Sequence, residues 1–244
     1  MGEKVRVDKL LSNMGKGSRN EVRDALKYGQ VKVNGNVVKS GKIKVDVAED
    51  EVLFQGIKVC YQKNIYLMMN KPQGVISATE DNRHKTVIDL LQEDVNFYNV
   101  FPVGRLDIDT EGLLLLTDDG DLAHNLLSPK KHVPKLYYAK IDAQVTDLDV
   151  KQFAEGITID DGYRCKPAQL HIISANASES EIELVIYEGK FHQVKRMFEA
   201  VEKNVLFLKR MKMGTLSLDE TLDKGAYREL TEAELEGLRT GHMA

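Results

Sequence analysis

The sequence contains few of the residues, and none of the runs, on which several classes of protein depend. Its two cysteines, Cys60 and Cys165, are isolated, and its six histidines are scattered. Neither a disulfide framework nor a zinc site is therefore expected. No window approaches the apolar length of a membrane span, and the start Met1-Gly2-Glu3-Lys4 lacks the apolar segment of a secretory signal. We expect a cytoplasmic protein that has no membrane partner.

The composition is that of an ordinary folded protein, but its charge is unevenly distributed. The 244 residues, 42% hydrophobic and 30% charged, suit one large domain or a small domain followed by a medium one. The net charge is −4, yet residues 1–59 hold 12 Lys and Arg against 8 Asp and Glu. A basic head on an acidic body favours a nucleic-acid partner for the head, although basic surfaces are also commonly just solvated.

The first sixty residues predict two helices followed by a small sheet. Apolar spacing indicates a helix over Val5–Leu11, and Ser18 with Glu21 has the spacing of a capping box that begins a second helix. Asn34-Gly35 lies between two alternating strands and predicts a hairpin, and Lys42–Val45 continues the alternation. The exposed face of the second helix is predicted to carry Arg19, Arg23 and Lys27.

This order of elements resembles the S4 RNA-binding domain. The match runs from Val7-Asp8-Lys9-Leu10-Leu11 through Ser18-Arg19 to Gly29-Gln30-Val31-Lys32-Val33-Asn34-Gly35. The resemblance implies contacts to RNA backbone and shape, which supply affinity and not base identity. The alternative is a generic helical cap with a solvated basic face. We place the S4-like domain at residues 1–60 and a second domain at 61–244.

The most informative run of the second domain spans residues 104–121. A polar loop with Arg105, Asp107 and Asp109 precedes Leu113–Leu116, a short apolar run that predicts a strand buried on both faces. Catalytic groups are best held on a loop that lies against a rigid element. An aspartate in such a loop is, however, often only a turn former. An aspartic-protease motif is excluded, because Glu111 separates Asp109-Thr110 from the glycine and no second copy exists.

The same run resembles the catalytic motif of pseudouridine synthases, Gly-Arg-Leu-Asp-x-x-Thr-x-Gly-Leu. The resemblance implies that Asp107 is the indispensable catalytic residue. Asn70-Lys71-Pro72-x-Gly74-Val75 is similar to the family's first motif, which supports the active site, and Lys135-Leu136-Tyr137 fits its Lys-x-Tyr motif. Tyr137 would offer a stacking face and a hydroxyl to a flipped uracil, or else it packs as an ordinary strand aromatic.

A third constellation lies at residues 188–201, where an alternating strand meets a predicted helix. The first turns of that helix carry Gln193, Lys195 and Arg196. Cations are unfavourable at a helix amino terminus, so a purely structural role explains them poorly. They can receive phosphates, and the family's basic residue, aligned with Lys195, can hold Asp107 ionised. We expect catalysis by Asp107, Tyr137 and Lys195, and RNA contacts by Arg105, Arg19, Arg23, Lys27, Lys71, Lys135, His192, Gln193 and Arg196.

The fold class that follows is α+β, an S4 domain of two helices and a hairpin before a synthase domain with a mixed, mainly antiparallel sheet flanked by helices. Within that domain we predict a helix over Thr86–Leu91 and another capped by Asp121. Closing strands are predicted at Val205–Met213 and near Gly225–Leu230. A last helix is capped by Thr231 with Glu234 three residues on.

The chemistry that the resemblance implies needs no metal, redox group or donor, so no cofactor is expected. It breaks the bond from ribose C1′ to uracil N1 and joins C1′ to C5. Asp107 can act as a nucleophile or as a base that removes the 2′ proton, and the sequence leaves both routes open. The uridine must first leave its stack, at a cost of about a few kcal/mol. Arg105 would fill the vacated space or hold phosphate, or it forms a salt bridge with a neighbouring acid.

An S4 head on this body resembles the bacterial ribosomal-RNA branch of the family. Gly-Lys-Phe-His-Gln-Val-Lys-Arg-Met, at residues 189–197, is similar to the 16S enzymes, whereas the large-subunit relatives tend to carry arginine-rich versions. We expect a monomer whose partner is 16S rRNA, free or in an assembly intermediate with ribosomal proteins. Two alternatives stay open: a 23S rRNA pseudouridine synthase, and a noncatalytic rRNA-binding assembly factor on the same scaffold.

Overall fold

The computed structural model describes residues 3–92, 95 and 98–241, and its backbone contacts divide the chain into two units. The first unit comprises residues up to 65 together with the described residues of the segment 92–99. The second comprises residues 66–91 and the chain from 100 onward. The first unit therefore extends past residue 60, where the sequence places the domain boundary.

The described residues of the first unit form two α-helices and six short strands. They are β1 (Lys4–Arg6), α1 (Val7–Asn13), α2 (Arg19–Lys27), β2 (Val31–Val33), β3 (Asn36–Val37), β4 (Lys44–Asp46), β5 (Val52–Phe54) and β6 (Ile57–Lys58). Four strands form a sheet in the order β3-β2-β5-β6, and β1 pairs with β4. The first helix begins at Val7, two residues after the predicted start at Val5, because Val5 pairs with Val45 in a strand. Strand β4, which contains Val45, pairs with β1 and lies outside the sheet that contains the hairpin.

Local sequence signals account for α2 and for the hairpin that follows it. The Ser18 hydroxyl accepts the backbone N–H of Glu21, and the Glu21 carboxylate accepts that of Ser18, so the capping box is confirmed. Asn34 and Gly35 have φ angles of 49° and 79°, the left-handed values that a tight two-residue hairpin turn requires. One face of α2 is buried through Val22, Ala25 and Leu26, and the opposite face exposes Arg19, Arg23 and Lys27.

The second unit is built on a mixed sheet flanked by helices. Its strands are β7 (Tyr66–Lys71), β8 (Phe101–Pro102), β9 (Glu111–Thr117), β10 (Lys135–Ile141), β11 (Gln169–Ala175), β12 (Ser180–Ile186), β13 (Val205–Met213), β14 (Leu216–Ser217) and β15 (Tyr227–Glu229). Its helices are α3 (Gly120–Leu127), α4 (Asp147–Glu155), α5 (Gln193–Glu199) and α6 (Glu232–Thr240). The main order is β11-β12-β10-β13-β9-β7-β15. Among the described pairs β9 and β13 run parallel and the others antiparallel, which confirms the predicted mixed sheet.

Strand β9 is an interior strand of this sheet, between β13 and β7, and all seven of its residues are buried. Leu113 and Leu115 join an apolar cluster with Met68 of β7, Leu126 of α3 and Leu238 of α6. The consecutive leucines are explained by this position, because a central strand covered on both faces has no solvent side to alternate with. The strand gives the preceding loop a rigid base.

Two predicted helix starts in this unit are wrong. The segment expected to be a helix over Thr86–Leu91 is one 3₁₀ turn, Ile88–Leu90, because Thr86 and Asp89 bond each other's backbone and close a single turn. Helix α3 is capped by Asp119, not Asp121: the Asp119 carboxylate accepts the N–H of Leu122 at 3.0 Å. The capping box of Thr231 and Glu234 is confirmed. In the described part of the chain, no helix combines the length and apolarity needed to cross a bilayer.

Candidate active site

The loop that carries Asp107 is fixed by hydrogen bonds to its own backbone and to the turn after β7. The Ser77 hydroxyl donates to the Leu106 carbonyl and accepts the Leu106 N–H, both at 3.0 Å. The N–H of Gly74 donates to the carbonyl of Ile108 at 2.8 Å, and the N–H of Thr110 donates to that of Asp107 at 3.1 Å. The loop is thus held at successive residues, as a preorganised catalytic group requires.

Lys71, the last residue of β7, is the centre of this support. Its side chain is fully buried, and its ammonium donates to the carbonyls of Pro72 and Asp107 at 3.0 Å and of Thr110 at 2.9 Å. Burial lowers the pKa of Lys71 to about 8, against the opposing attraction of Asp107 and neighbouring acids. The three acceptors satisfy all three N–H groups of the charged amine.

The Asp107 carboxylate lies beside two basic side chains from the start of α5. Lys195 Nζ is 3.4 Å from one carboxylate oxygen, and His192 Nε2 is 3.6 Å from the other. About a quarter of the Asp107 side chain is exposed, so a ligand can reach it. Lys195 thus places a positive charge directly beside the Asp107 carboxylate.

Asp109 shares Lys195 with Asp107 and is the closer of the two. Its Oδ1 accepts a hydrogen bond from Lys195 Nζ at 2.6 Å. Partial burial acts to raise the pKa of Asp109, but the bond and charge of Lys195 outweigh it and lower that pKa. Asp109 is the more exposed carboxylate, and its backbone is not among the acceptors of Lys71. Asp107 is therefore the more enclosed of the two carboxylates, and Asp109 is the one that holds Lys195 by a hydrogen bond.

A buried network fixes the turn between β12 and α5. Glu188, 5% exposed, accepts hydrogen bonds from the Tyr163 hydroxyl at 2.7 Å, the Lys166 N–H at 2.9 Å and the Gln193 side-chain amide at 3.2 Å. The side-chain oxygen of Gln193, Oε1, accepts the backbone N–H of Lys190 at 2.8 Å. The Gln193 side chain therefore spans the turn that presents His192 and Lys195 to Asp107.

Sheet register relates Tyr137 to the loop. Arg210 of β13 pairs with Tyr137 of β10 on one side and with Gly112 of β9 on the other, and Gly112 pairs with Lys71. Tyr137 therefore lies two strand spacings, roughly 10 Å, from Gly112. Directly paired residues share a face of the sheet, so Tyr137, Arg210 and Lys71 lie on the same face. Tyr137 is largely buried, 7% exposed.

Three residues expected to contact RNA have buried side chains. Lys71 is enclosed as described above, and Gln193 is 4% exposed within the turn network. Lys135 is 8% exposed and donates to the carbonyl of Val133 at 3.0 Å. Burial, with the nearby Arg210 charge, lowers the pKa of Lys135 to about 8. The two lysines bond backbone carbonyls and Gln193 bonds Glu188 inside the fold, partners that composition and spacing do not reveal.

The other expected RNA contacts are at the surface or paired. Arg105 is exposed at the start of the loop, and among the described residues it forms no ion pair. His192 lies against Asp107, and Arg196 forms ion pairs with Asp160 and Asp161. In the first unit Arg19, Arg23 and Lys27 are all exposed.

The sequence did not indicate Ser77, Glu188, Tyr163 or the pairing role of Asp109. Serine, glutamate and tyrosine at these positions belong to no spacing pattern, because their partners lie far away along the chain. The loop motif contains Asp109, so its proximity to Asp107 was the one available signal.

The site is a carboxylate loop that a buried lysine supports on a mixed sheet, and a module of two helices that exposes basic residues precedes it in the chain. Comparison with known proteins shows that this is the arrangement of an RNA-modifying enzyme. The RNA pseudouridylate synthase family matches residues 65–200, and the S4 domain matches residues 5–52. The chain therefore belongs to the RNA pseudouridylate synthase family and is a pseudouridine synthase with an amino-terminal S4 domain.

Relatives over the full chain agree with this. An uncharacterized RNA pseudouridine synthase of Bacillus subtilis is 52% identical, over 95% of this chain and 97% of its own. The ribosomal small subunit pseudouridine synthase A of Vibrio cholerae is 42% identical, over 95% of this chain and 98% of its own. A crystal structure of a pseudouridylate synthase superposes with a TM-score of 0.68 at 36% identity, over 96% of this chain and 99% of the other.

Proposed function

We propose that this protein isomerises a specific uridine of 16S rRNA to pseudouridine, with Asp107 as the catalytic carboxylate. The observation that carries the proposal is the placement of that carboxylate, 3.4 Å from Lys195 Nζ and 3.6 Å from His192 Nε2. Its backbone carbonyl is bound by Lys71. An ionised, fixed and accessible carboxylate is what either route of the reaction requires.

The reaction exchanges one bond for another. The bond from C1′ to N1 breaks, the base rotates, C1′ joins C5, the C5 proton is lost and N1 gains one. Asp107 acts on the sugar or base as a nucleophile, or it removes the 2′ proton. Lys195 stabilises the negative charge of Asp107, and Tyr137 offers an aromatic face and a hydroxyl to the uracil.

The uridine must be turned out of its stack before Asp107 reaches C1′, at a cost of about a few kcal/mol. Arg105 is suited to fill the vacated space or to bind a phosphate there, because it is exposed at the start of the Asp107 loop. The S4 domain supplies further affinity through backbone contacts.

The choice of 16S rRNA is supported by two observations. Full-length relatives at 42% and 40% identity carry the name ribosomal small subunit pseudouridine synthase A. The run at residues 189–197 has the lysine-containing form similar to those enzymes. A complete set of Asp107, Tyr137 and Lys195 argues against a noncatalytic assembly factor.

The test is carbodiimide primer-extension mapping of 16S and 23S rRNA transcripts incubated with the purified protein, alone and with ribosomal proteins. We expect one new stop in 16S rRNA. Asp107→Asn should remove it, lowering turnover by a factor of about 10⁴ or more while leaving RNA binding within about threefold.

Asp109→Asn is the matched control, because it changes the neighbouring carboxylate to the same amide. It should reduce turnover by about tenfold or less, since Asp109 acts only through Lys195. A stop in 23S rRNA would overturn the choice of RNA and keep the chemistry. Full turnover by Asp107→Asn would overturn the site, and tight binding without any stop would favour the assembly factor.

A further inference from the structure

An exposed pair of stacked rings lies beside the proposed catalytic carboxylate. The rings of Phe191 and His192 are 3.8 Å apart between centroids and 16° from parallel. The Phe191 side chain is 72% exposed although one face is covered by the imidazole, so its opposite face is open. His192 in turn lies 3.6 Å from Asp107. The open face of Phe191 therefore lies on the side of its ring away from His192, the residue next to the carboxylate.

The backbone that presents this pair is held in place and is strained. His192 has a φ of 49°, the left-handed region that non-glycine residues rarely occupy. The Phe191 carbonyl accepts a bond from Arg196 at 3.3 Å, and the Gln193 side chain holds the N–H of Lys190. Such a conformation persists only where surrounding bonds enforce it. The ring is therefore presented to solvent by a fixed turn.

We propose that Phe191 is a stacking platform for an unpaired nucleobase next to the target uridine in the RNA. This inference rests on the proposed function, which assigns the uridine itself to Asp107 and Tyr137. The spacing of the two rings is close to that of stacked bases, about 3.4 Å, so a base on Phe191 continues the same stack. It would lie roughly 7 Å from the His192 ring, within reach of a nucleotide adjoining the flipped one.

The charge around the platform suits RNA better than an apolar partner. Lys190 precedes Phe191 and is exposed, with its ammonium 4.3 Å from the centroid of the Tyr163 ring. Arg105 is exposed on the catalytic loop. Exposed aromatics interleaved with cations are the combination by which proteins bind single strands, since every base has a face that can stack.

The experiment measures KM and kcat separately on 16S rRNA, ligated from segments so that each neighbour of the modified uridine can be replaced by an abasic residue. We expect Phe191→Ala to raise KM roughly ten- to hundredfold with kcat retained. Phe191→Leu should raise KM similarly, because it keeps apolar area but loses the ring. Phe191→Tyr keeps the ring and should have the KM of the wild type. Leu148→Ala, an exposed apolar residue of α4, is the control and should change nothing.

The decisive readout is coupling between protein and RNA changes. One abasic replacement should raise the KM of the wild type but have no further effect on Phe191→Ala. An unchanged KM in Phe191→Ala would overturn the platform. So would an increase in KM that stays the same whichever neighbouring base is removed from the RNA. Melting temperature should not change, because the ring is exposed.

Failure of the proposed function gives a different pattern. If the wild type modifies 23S rRNA, the same protein and abasic RNA variants are compared on that RNA, and coupling between them still supports the platform. If it binds rRNA without turnover, the dissociation constant replaces KM in this comparison. A wild type that binds neither rRNA would overturn both proposals together.

Discussion

Lys71 is a buried cation whose ammonium group donates to three carbonyl oxygens, two of them in the loop that carries Asp107. A neutral amine keeps only two N–H groups, so deprotonation must release one of these acceptors. Since burial lowers the pKa of Lys71 to about 8, this happens around pH 8 and not at the ordinary value of 10.5.

We predict that turnover falls as pH rises through about 8 while stability does not. The unfolded lysine keeps its proton up to about 10.5, and the folded one releases it at about 8. Between these values the unfolded state binds more protons, so the contribution of Lys71 to the free energy of unfolding rises with pH. A pH profile of kcat beside thermal melts at each pH would measure both.

Lys71→Met should lose the alkaline decline and reduce turnover at every pH. It should also lower the free energy of unfolding by about 2 to 4 kcal/mol, because carbonyls of the loop are left without a donor. Lys135→Met is the matched control: its pKa is also lowered to about 8, but it donates to Val133 and not to the loop. If Lys135→Met abolished the decline instead, the assignment to Lys71 would be wrong.

At the scale of single elements, Gly112 determines how closely β9 and β13 can pair. Its φ is 101°, and a Cβ atom there would lie 2.3 Å from the carbonyl oxygen of Arg210. The positions of β13 and β7 both depend on Gly112, because it pairs with Arg210 of β13 and with Lys71 of β7. A glycine is required both for the backbone conformation and for the close approach.

Gly112→Ala should therefore lower the free energy of unfolding by about 2 to 4 kcal/mol and displace the Asp107 loop. Urea unfolding with a turnover assay measures both effects. Gly120→Ala is the control, since Gly120 has nothing within 4 Å of a built Cβ and no positive φ, and it should change stability by about 0.5 kcal/mol or less. Equal stability of the two variants would contradict the role of Gly112.

The turn before α5 shows what element-level patterns can predict. Alternation of Ile182, Leu184 and Ile186 predicts β12, and the spacing of Val194, Met197 and Phe198 predicts α5; the structure confirms both elements. The bonds of Glu188 that hold the turn were not predictable, because they reach Tyr163 and Lys166 across the fold.

At the scale of the whole molecule, the basic face of α2 should supply RNA affinity without taking part in chemistry. Replacing Arg19, Arg23 and Lys27 together by glutamine should weaken 16S rRNA binding and leave kcat at saturating RNA unchanged. The plot of log affinity against log salt should become shallower by about 0.7 to 0.9 for each phosphate that the variant no longer neutralises. Filter binding over a salt series measures this slope.

Lys39, Lys42 and Lys44 are the matched control, because they are equally exposed cations of the same unit that lie outside α2. Replacing these three by glutamine removes the same charge and should have the smaller effect on the slope. Equal effects of the two triples would mean that net charge, and not the face of α2, governs RNA affinity.

The sequence by itself determined the order of the two domains, the α+β class, the capped helices α2 and α6, the buried β9 and the loop that carries Asp107. These follow from periodicity, capping and turn chemistry, which act between residues a few positions apart. Its motifs also identified the family. Local signals failed at Thr86–Leu91, where a side-chain bond closed one turn, and at Val5, where a distant strand was the partner.

Only the tertiary structure decided which polar residues face solvent and which support the loop. Lys71, Lys135 and Gln193 read as RNA contacts in the sequence, yet all three are buried. Lys195 and Phe191, in one segment, meet the two carboxylates of another, and Lys195 and Asp109 are 86 residues apart along the chain. The physical reason is that desolvation and hydrogen-bond partners depend on contacts between distant strands. A residue's type and spacing do not specify those contacts.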